Sequence, residues 1–383
     1  MSFTPAMNRP TNPNSRLVSY ALEGLQRCWM PGLGRYSHRF RFDVSEPANE
    51  SIPESDAFYT LNVLLGMSQL PGLGGRTPVE IRRIYEGCCR EVGNPRARTY
   101  MFGMALWAGA KLGIAPPSAV VDRIFAILAD RSALRRLTAQ DIGMLVSGTT
   151  AMASKEGGPW RAAANPLIEF LRDHLYEPAT HLFYNTGTGY RRHFSSFASQ
   201  VYSLLALYQF GEAFGADWAI ALANTAAARV ISHQGPRGEW AWFYYVPGGR
   251  VVDFYEVYSV HQHGMAPAFL HHAVEHGVAG AREALIKGFL WLFGDNDMEI
   301  SMLRPDERLF YRSQLREGEL ESTRYRTRRS IVNAFLGRSD AVTKHHGLVL
   351  RKECRSYELG WILWSFGGRS DYAELTERRE FKV

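Results

Sequence analysis

The chain has 383 residues, 46% of them apolar and 21% charged, a balance that supports a large buried core and excludes an intrinsically disordered chain. Its 44 basic and 38 acidic residues give a net charge of +6. No RNA- or DNA-binding motif accompanies the excess, so a nucleic-acid partner is not expected and the charge leans only towards acidic ligands. Cys28, Cys88, Cys89 and Cys354 show neither C-x-x-C spacing nor a dense framework, which fits a reducing, cytoplasmic setting. The opening MSFTPAMNRPTNPNS has no apolar signal-peptide core, and no run of about 18 apolar residues follows, so membrane insertion is not expected.

Residues 1–14 are polar and proline-rich and read as a disordered segment; 15–383 read as one domain. Apolar residues at helical spacing, with Ser15 as N-cap, predict a first helix over 15–28. A Gly/aromatic loop follows. Further helices are predicted over 56–70, 78–92, 96–112, 117–130, 138–153, 161–175, 194–213, 217–232, 257–276, 280–293, 326–336 and 355–366. Irregular stretches separate them near 30–55, 176–193, 233–256 and 294–323, with few convincing strands. PGLGR (31–35) and PGLGG (71–75) follow no strand and lack Lys-Ser or Lys-Thr, so they read as turns rather than nucleotide loops. Helix–loop–helix alternation of this kind predicts an all-α fold of helical hairpins, and the helix count points to a closed α/α toroid, with an irregular helical solenoid as the alternative.

The segment 233–267 is the richest in chemistry. Gln234-Gly-Pro-Arg-Gly238-Glu-Trp240 matches a Q-x-x-x-G-x-W pattern found at hairpin turns in the α/α toroids of triterpene cyclases, in which the Gln bonds backbone at a helix end while the Trp packs across it. Trp242, Tyr244, Tyr245, Asp253, Glu256, Tyr258, His261, Gln262 and His263 follow within a short span. A helix beginning near Tyr255 would place Glu256 in its first turn. Structural readings stand beside the functional ones: Trp240 as a brace, Asp253 as a turn residue, Glu256 as an answer to a helix dipole, and Asp56 as the N-cap of its own helix. His261 and His263, with His271, His272 and Glu256, offer metal-ligating types. Positions two apart on a helix point away from each other, so no metal is expected.

From about residue 56 onward the chain resembles the six-hairpin glycosidase-like superfamily, in particular a type found beside polysaccharide-assembly genes. The residues that carry this are GEWAWFYYVPGGRVVDFYEVYSVHQHGMAP (238–267), WLFGDNDMEISM (291–302) and FYRSQLREGE (310–319). The resemblance implies an (α/α)6-type toroid and a carbohydrate-related role, without supplying a substrate or a mechanism.

Glycoside chemistry needs two carboxyl groups about the scissile bond. Asp253 and Glu256 lead as a catalytic pair, with Asp56 next and Glu239 and Asp297 behind, while His261 is an acid or base candidate. Trp240, Trp242, Tyr244, Tyr258, Gln262, His263 and Arg312 are the expected glycan contacts. Hydrolysis is the default reaction; elimination or epimerisation is open because Tyr and His also move protons at carbon. No cofactor is expected. Two alternatives remain: an isoprenoid cyclase, opposed by Asp295-Asn-Asp297 standing where a D-x-D-D acid motif would be needed, and a non-catalytic glycan-binding scaffold.

Overall fold

The computed structural model describes residues 14–94, 97–319, 324–341 and 347–382. The segment 1–13, nearly all of the proline-rich start, lies outside them. In chain order the helices are α1 (Arg16–Cys28), α2 (Pro53–Met67), α3 (Pro78–Val92), α4 (Thr99–Leu112), α5 (Ser118–Ala129), α6 (Arg131–Arg136), α7 (Ala139–Glu156), α8 (Pro159–Phe170), α9 (Phe197–Phe214), α10 (Asp217–Ile231), α11 (Ala266–Glu275), α12 (Ala281–Leu290), α13 (Arg324–Phe335) and α14 (Ser356–Phe366).

Local signals explain where these helices begin and end. The Ser15 hydroxyl accepts from the Val18 N–H at 3.3 Å, as expected of an N-cap. Thr77 with Glu80 and Thr138 with Asp141 form reciprocal capping boxes. Gly113 and Gly215 end α4 and α9 in the left-handed conformation.

Burial then sorts the helices into two layers. In α3 the buried Ile81, Ile84, Tyr85, Cys88, Cys89 and Val92 form one stripe, as on a helix with one face to solvent. In α4, α7 and α9 the buried residues run round the whole circumference, as they must when neighbours cover every side. Helix α2 packs on α4, α4 on α7, α7 on α9, α9 on α11, α11 on α14, and α14 closes back on α2. These six form a closed inner ring, with α1, α3, α5, α8, α10 and α12 outside it: an (α/α)6 toroid. The four cysteines are free and buried. No helix among the described residues is long and apolar enough to cross a membrane.

The ring is tight where α4 crosses α7. A Cβ on Gly148 would stand 2.5 Å from the Gly103 carbonyl oxygen, and one on Gly103 would stand 2.5 Å from the Met144 carbonyl carbon. Gly148→Val is therefore expected to lower stability by about 1–3 kcal/mol, read as a lower urea midpoint at unchanged slope.

The structure departs from the predicted elements in two instructive places. Short antiparallel strands of two to four residues occupy the loops, for example Arg39–Arg41 with Ala48–Glu50, and Phe194–Ser196 with Phe243–Tyr245 and Arg250–Asp253. Such pieces are too short to show a two-residue alternation in sequence. The predicted helix 257–276 runs from 259 to 275 and contains a π turn. Val257 and Tyr258 pair as a strand with Gln314 and Ser313, a wide π turn spans His261–Met265, and α11 follows. Glu256 is thus in extended chain ahead of a strand and does not answer a helix dipole.

Candidate active site at the inner-ring mouth

The first turns of the inner helices meet around one cavity of about 220 Å³. Tyr59 from α2, Tyr100 from α4, Gln140 from α7, Tyr202 from α9 and Tyr357 from α14 line it, with His261 and Met265 from the π turn before α11. Trp242, Tyr258 and Arg312 complete the wall from the loops. Trp242 is shared with an adjoining groove of about 830 Å³, whose other aromatic residues include Tyr190, Phe194, Phe243, Tyr245 and Phe335.

A three-stranded ribbon sets the polar groups. Strand Val257–Tyr258 pairs with Ser313–Arg316, which pairs in turn with Leu348–Arg351. This pairing brings Glu256, Arg312, Ser313 and Arg351 together. The Glu256 carboxylate is 1% exposed and accepts from Arg351 Nε (2.8 Å), Arg326 Nη1 (3.2 Å), Tyr258 Oη (3.0 Å) and the Ser313 hydroxyl. Burial opposes its ionisation, but the Arg351 hydrogen bond and charge outweigh burial and hold the carboxyl below its ordinary range. Asp253, also 1% exposed, faces Arg316 Nη1 (2.9 Å), Arg326 Nε (3.7 Å) and Arg329 Nε (3.8 Å). For Asp253 burial prevails over the arginines, and the pKa is raised. Helix α13 supplies Arg326 and Arg329, which form ion pairs with buried carboxylates; Arg326 also lies 5.0 Å over the Trp242 ring.

The remaining cavity groups are set by burial and by Arg312. Its guanidinium binds Glu358 (2.8 Å) and Glu353 (3.4 Å) and stands 4.9 Å from the Tyr258 ring centre. Glu358 is pushed up to about 8, chiefly by burial. His261 is pushed down to about 3, by burial first and the Arg312 charge next, so its imidazole is neutral at pH 7. That ring stacks on Trp242 (6.1 Å between centres, 6° between planes). Burial and the Glu256 charge raise the Tyr258 hydroxyl to about 12.

Four of the residues expected from sequence therefore meet at the cavity: Trp242, Tyr258, His261 and Arg312. Asp253 reaches the adjoining groove, and Glu256 sits behind Tyr258. Asp56 is buried within α2 rather than capping it; its carboxylate takes the Ser51 hydroxyl and the Ile52 N–H (3.2 Å). Trp240 is core, stacked on Phe197 at 5.4 Å, and the Gln262 amide bridges the Gly238 carbonyl and the Trp240 N–H. Tyr244 packs by His233, and His263 by Phe310. Gln234 braces the turn through the carbonyls of Gly238 (3.0 Å) and Ala284 (2.8 Å). Asn296 ties the GDNDMEI segment to Trp291 and Ile300, as a closed loop requires.

Sequence reasoning missed Tyr59, Tyr100, Tyr202 and Tyr357. An aromatic residue recurring in the first two turns of successive inner helices was the available signal.

No protein-family model matches the chain, and no curated protein sequence is similar to it. Solved structures do share its fold. The cellobiose 2-epimerase of Bacillus thermoamylovorans B4167 superposes with a TM-score of 0.60 at 10% identity, covering 92% of this chain and 98% of the epimerase. An unsaturated glucuronyl hydrolase specific for heparin gives 0.58 at 12%, covering 96% and 98%. The GH76A alpha-1,6-mannanase of Salegentibacter sp. HEL1_6 gives 0.57 at 10%, covering 92% and 97%. The chain shares with these three enzymes the (α/α)6 toroid fold.

Proposed function

We propose that the chain is a carbohydrate-active enzyme that seats one residue of an acidic oligo- or polysaccharide in the inner cavity and moves a proton at a sugar carbon. The observation that carries this is the cavity wall. Its described residues include a neutral imidazole, a buried tyrosine hydroxyl and an arginine, and none is a carboxylate. Aromatic faces in the adjoining groove suit further sugar rings of the same chain.

Arg312 would take the carboxylate of a uronate residue. Burial raises Glu358, its partner at 2.8 Å, and Glu353, at 3.4 Å, is shared with Arg39 and Arg355, so the guanidinium is only partly neutralised within the protein. Substrate binding would also cancel one cause of the low His261 pKa and make that imidazole a better base when the substrate is in place. In elimination, the C–H bond beside the carboxylate breaks and its proton goes to His261. The electron pair forms the C=C bond, the C–O bond to the next sugar breaks, and the departing oxygen takes the Tyr258 proton. Solvent then returns a proton from His261 to Tyr258. In epimerisation the proton comes back on the opposite face and no C–O bond breaks. Hydrolysis is the second reading, favoured by Asp253, the carboxylate among the described residues lining the adjoining groove.

Mass spectrometry of uronate-containing and neutral oligosaccharides after incubation tests these readings. Elimination splits the chain without adding water and leaves an ultraviolet-absorbing double bond. Epimerisation keeps the mass and takes up deuterium from D2O, while hydrolysis adds one water per cut. His261→Gln is expected to lower turnover on the uronate substrate by about 10²–10⁴-fold. Cleavage of neutral glycans with added water, indifferent to His261→Gln, would sink the proposal.

A further inference from the structure

We infer that the opposite mouth of the toroid holds a binding site for one zinc-class divalent cation. The last turns of the inner helices surround a second cavity of about 410 Å³ at that end. Glu212, from α9, stands there against His272, Glu275 and His276 at the end of α11.

Donor geometry is the first argument. One oxygen of Glu212 meets both His272 Nδ1 (2.7 Å) and His276 Nε2 (3.0 Å). Ligand atoms of Glu212, His272 and Glu275 all lie within 4.8 Å of one another. A zinc ion sits about 2.0–2.2 Å from nitrogen and oxygen ligands, so tetrahedral donors stand about 3.3 Å apart and shifts of roughly 1 Å complete the cage. The two histidines are four residues apart on one helix face, which is the spacing that lets both reach one ion.

Pre-organisation is the second. Tyr208 stacks on both imidazoles, at 5.4 Å and 10° for His272 and at 5.6 Å and 4° for His276. Its hydroxyl donates to Asn224 (2.9 Å), whose amide reaches the His276 carbonyl (3.4 Å). The rings are therefore held parallel by groups outside the donor set.

The charges fit as well. Arg369 pairs with Glu275 at 3.0 Å but also holds Asp371 at 2.6 Å, so it has a carboxylate to keep when Glu275 turns to a metal. Burial disfavours the charge of Lys111, the other cation in the cavity. Two imidazoles with carboxylates suit zinc, cobalt or nickel, whereas calcium and magnesium want oxygen alone. The ion would clip α9 to α11 at the end away from the sugar cavity and steady the ring without entering the chemistry.

The full chain, dialysed against a chelator, is titrated with Zn(II) by calorimetry and with Co(II) by visible absorption. One ion per chain is expected, with a melting temperature raised by about 3 °C at a hundredfold excess of Zn(II) over Kd. Binding is expected to be lost in His272→Ala and in Glu212→Gln, and retained in His233→Ala, which lies elsewhere. Both site positions are partly open to solvent, so circular dichroism should show these variants folded; Glu275→Gln provides a third, milder variant. Absence of saturable binding overturns the inference, and so does binding that survives both His272→Ala and Glu212→Gln. Sugar turnover is read separately and bears on neither outcome.

Discussion

Glu256→Ala is expected to destabilise the protein by about 3–5 kcal/mol, measured by urea denaturation. The carboxylate is 1% exposed and takes hydrogen bonds from Arg351, Arg326, Tyr258 and Ser313. Truncation removes the shared acceptor and leaves Arg326, itself only 7% exposed, with a buried charge facing the distant Asp253 alone. Burial by itself would push Glu256 towards protonation; that its pKa is nevertheless lowered measures how strongly the cluster prefers the charge. Adding Arg326→Met should recover part of the loss, because the group left unpaired is then gone. Tyr258→Phe, by contrast, loses one hydrogen bond, about 1 kcal/mol, while removing the proton donor of the proposed reaction. A Glu256→Ala variant that keeps its stability and loses turnover would instead make the carboxylate a direct participant, as a hydrolytic pair requires.

The toroid was legible because its cause is local. Periodic apolar residues, Thr and Ser caps and Gly terminators mark most helices within a few residues, and the count of hairpins leaves few ways to bury their inner faces. The 233–267 segment stood out as a candidate because a loop rich in Trp, Tyr, His and acid has no purely structural pattern to follow, and it sends Trp242, Tyr258 and His261 to the cavity wall. Which members reach the cavity was not legible. Gln262 and His263 adjoin His261 in sequence, yet the π turn sends His261 and Met265 to the wall and folds Gln262 and His263 against Gly238 and Phe310. Nor did sequence show that Glu256 would be matched by arginines 70 and 95 positions away, since those pairings are set by a ribbon too short to read and by α13 folding over it. Tyr59, Tyr100, Tyr202 and Tyr357 come from four separate helices, and only closure of the ring makes them neighbours.

That same burial makes the pH dependence of stability a property of opposed groups, which single variants should separate. His263 is fully buried and pushed down to about 3 from an ordinary 6.5, mainly by desolvation. Below pH 6.5 the unfolded chain takes up a proton at this position and the folded chain does not, so stability is complete above 6.5 and falls as pH drops towards 3. At pH 5 the loss is about 2 kcal/mol for this residue, and His261, His38 and His233 act in the same direction. Glu358 works oppositely. Burial raises it from 4.5 to about 8, so between those values the fold holds a proton that the unfolded chain has released, and stability falls as pH rises. The four histidines together outweigh Glu358, so the parent loses stability as pH falls from 7 to 5. Relative to the parent, His263→Gln should gain about 2 kcal/mol on going from pH 7 to 5, and Glu358→Gln should lose about 2 kcal/mol over the same interval. Urea midpoints for the three proteins at the two pH values measure both. Parallel shifts in the same direction would mean that His263 is already charged in the fold, which no packing against Phe310 alone would stabilise.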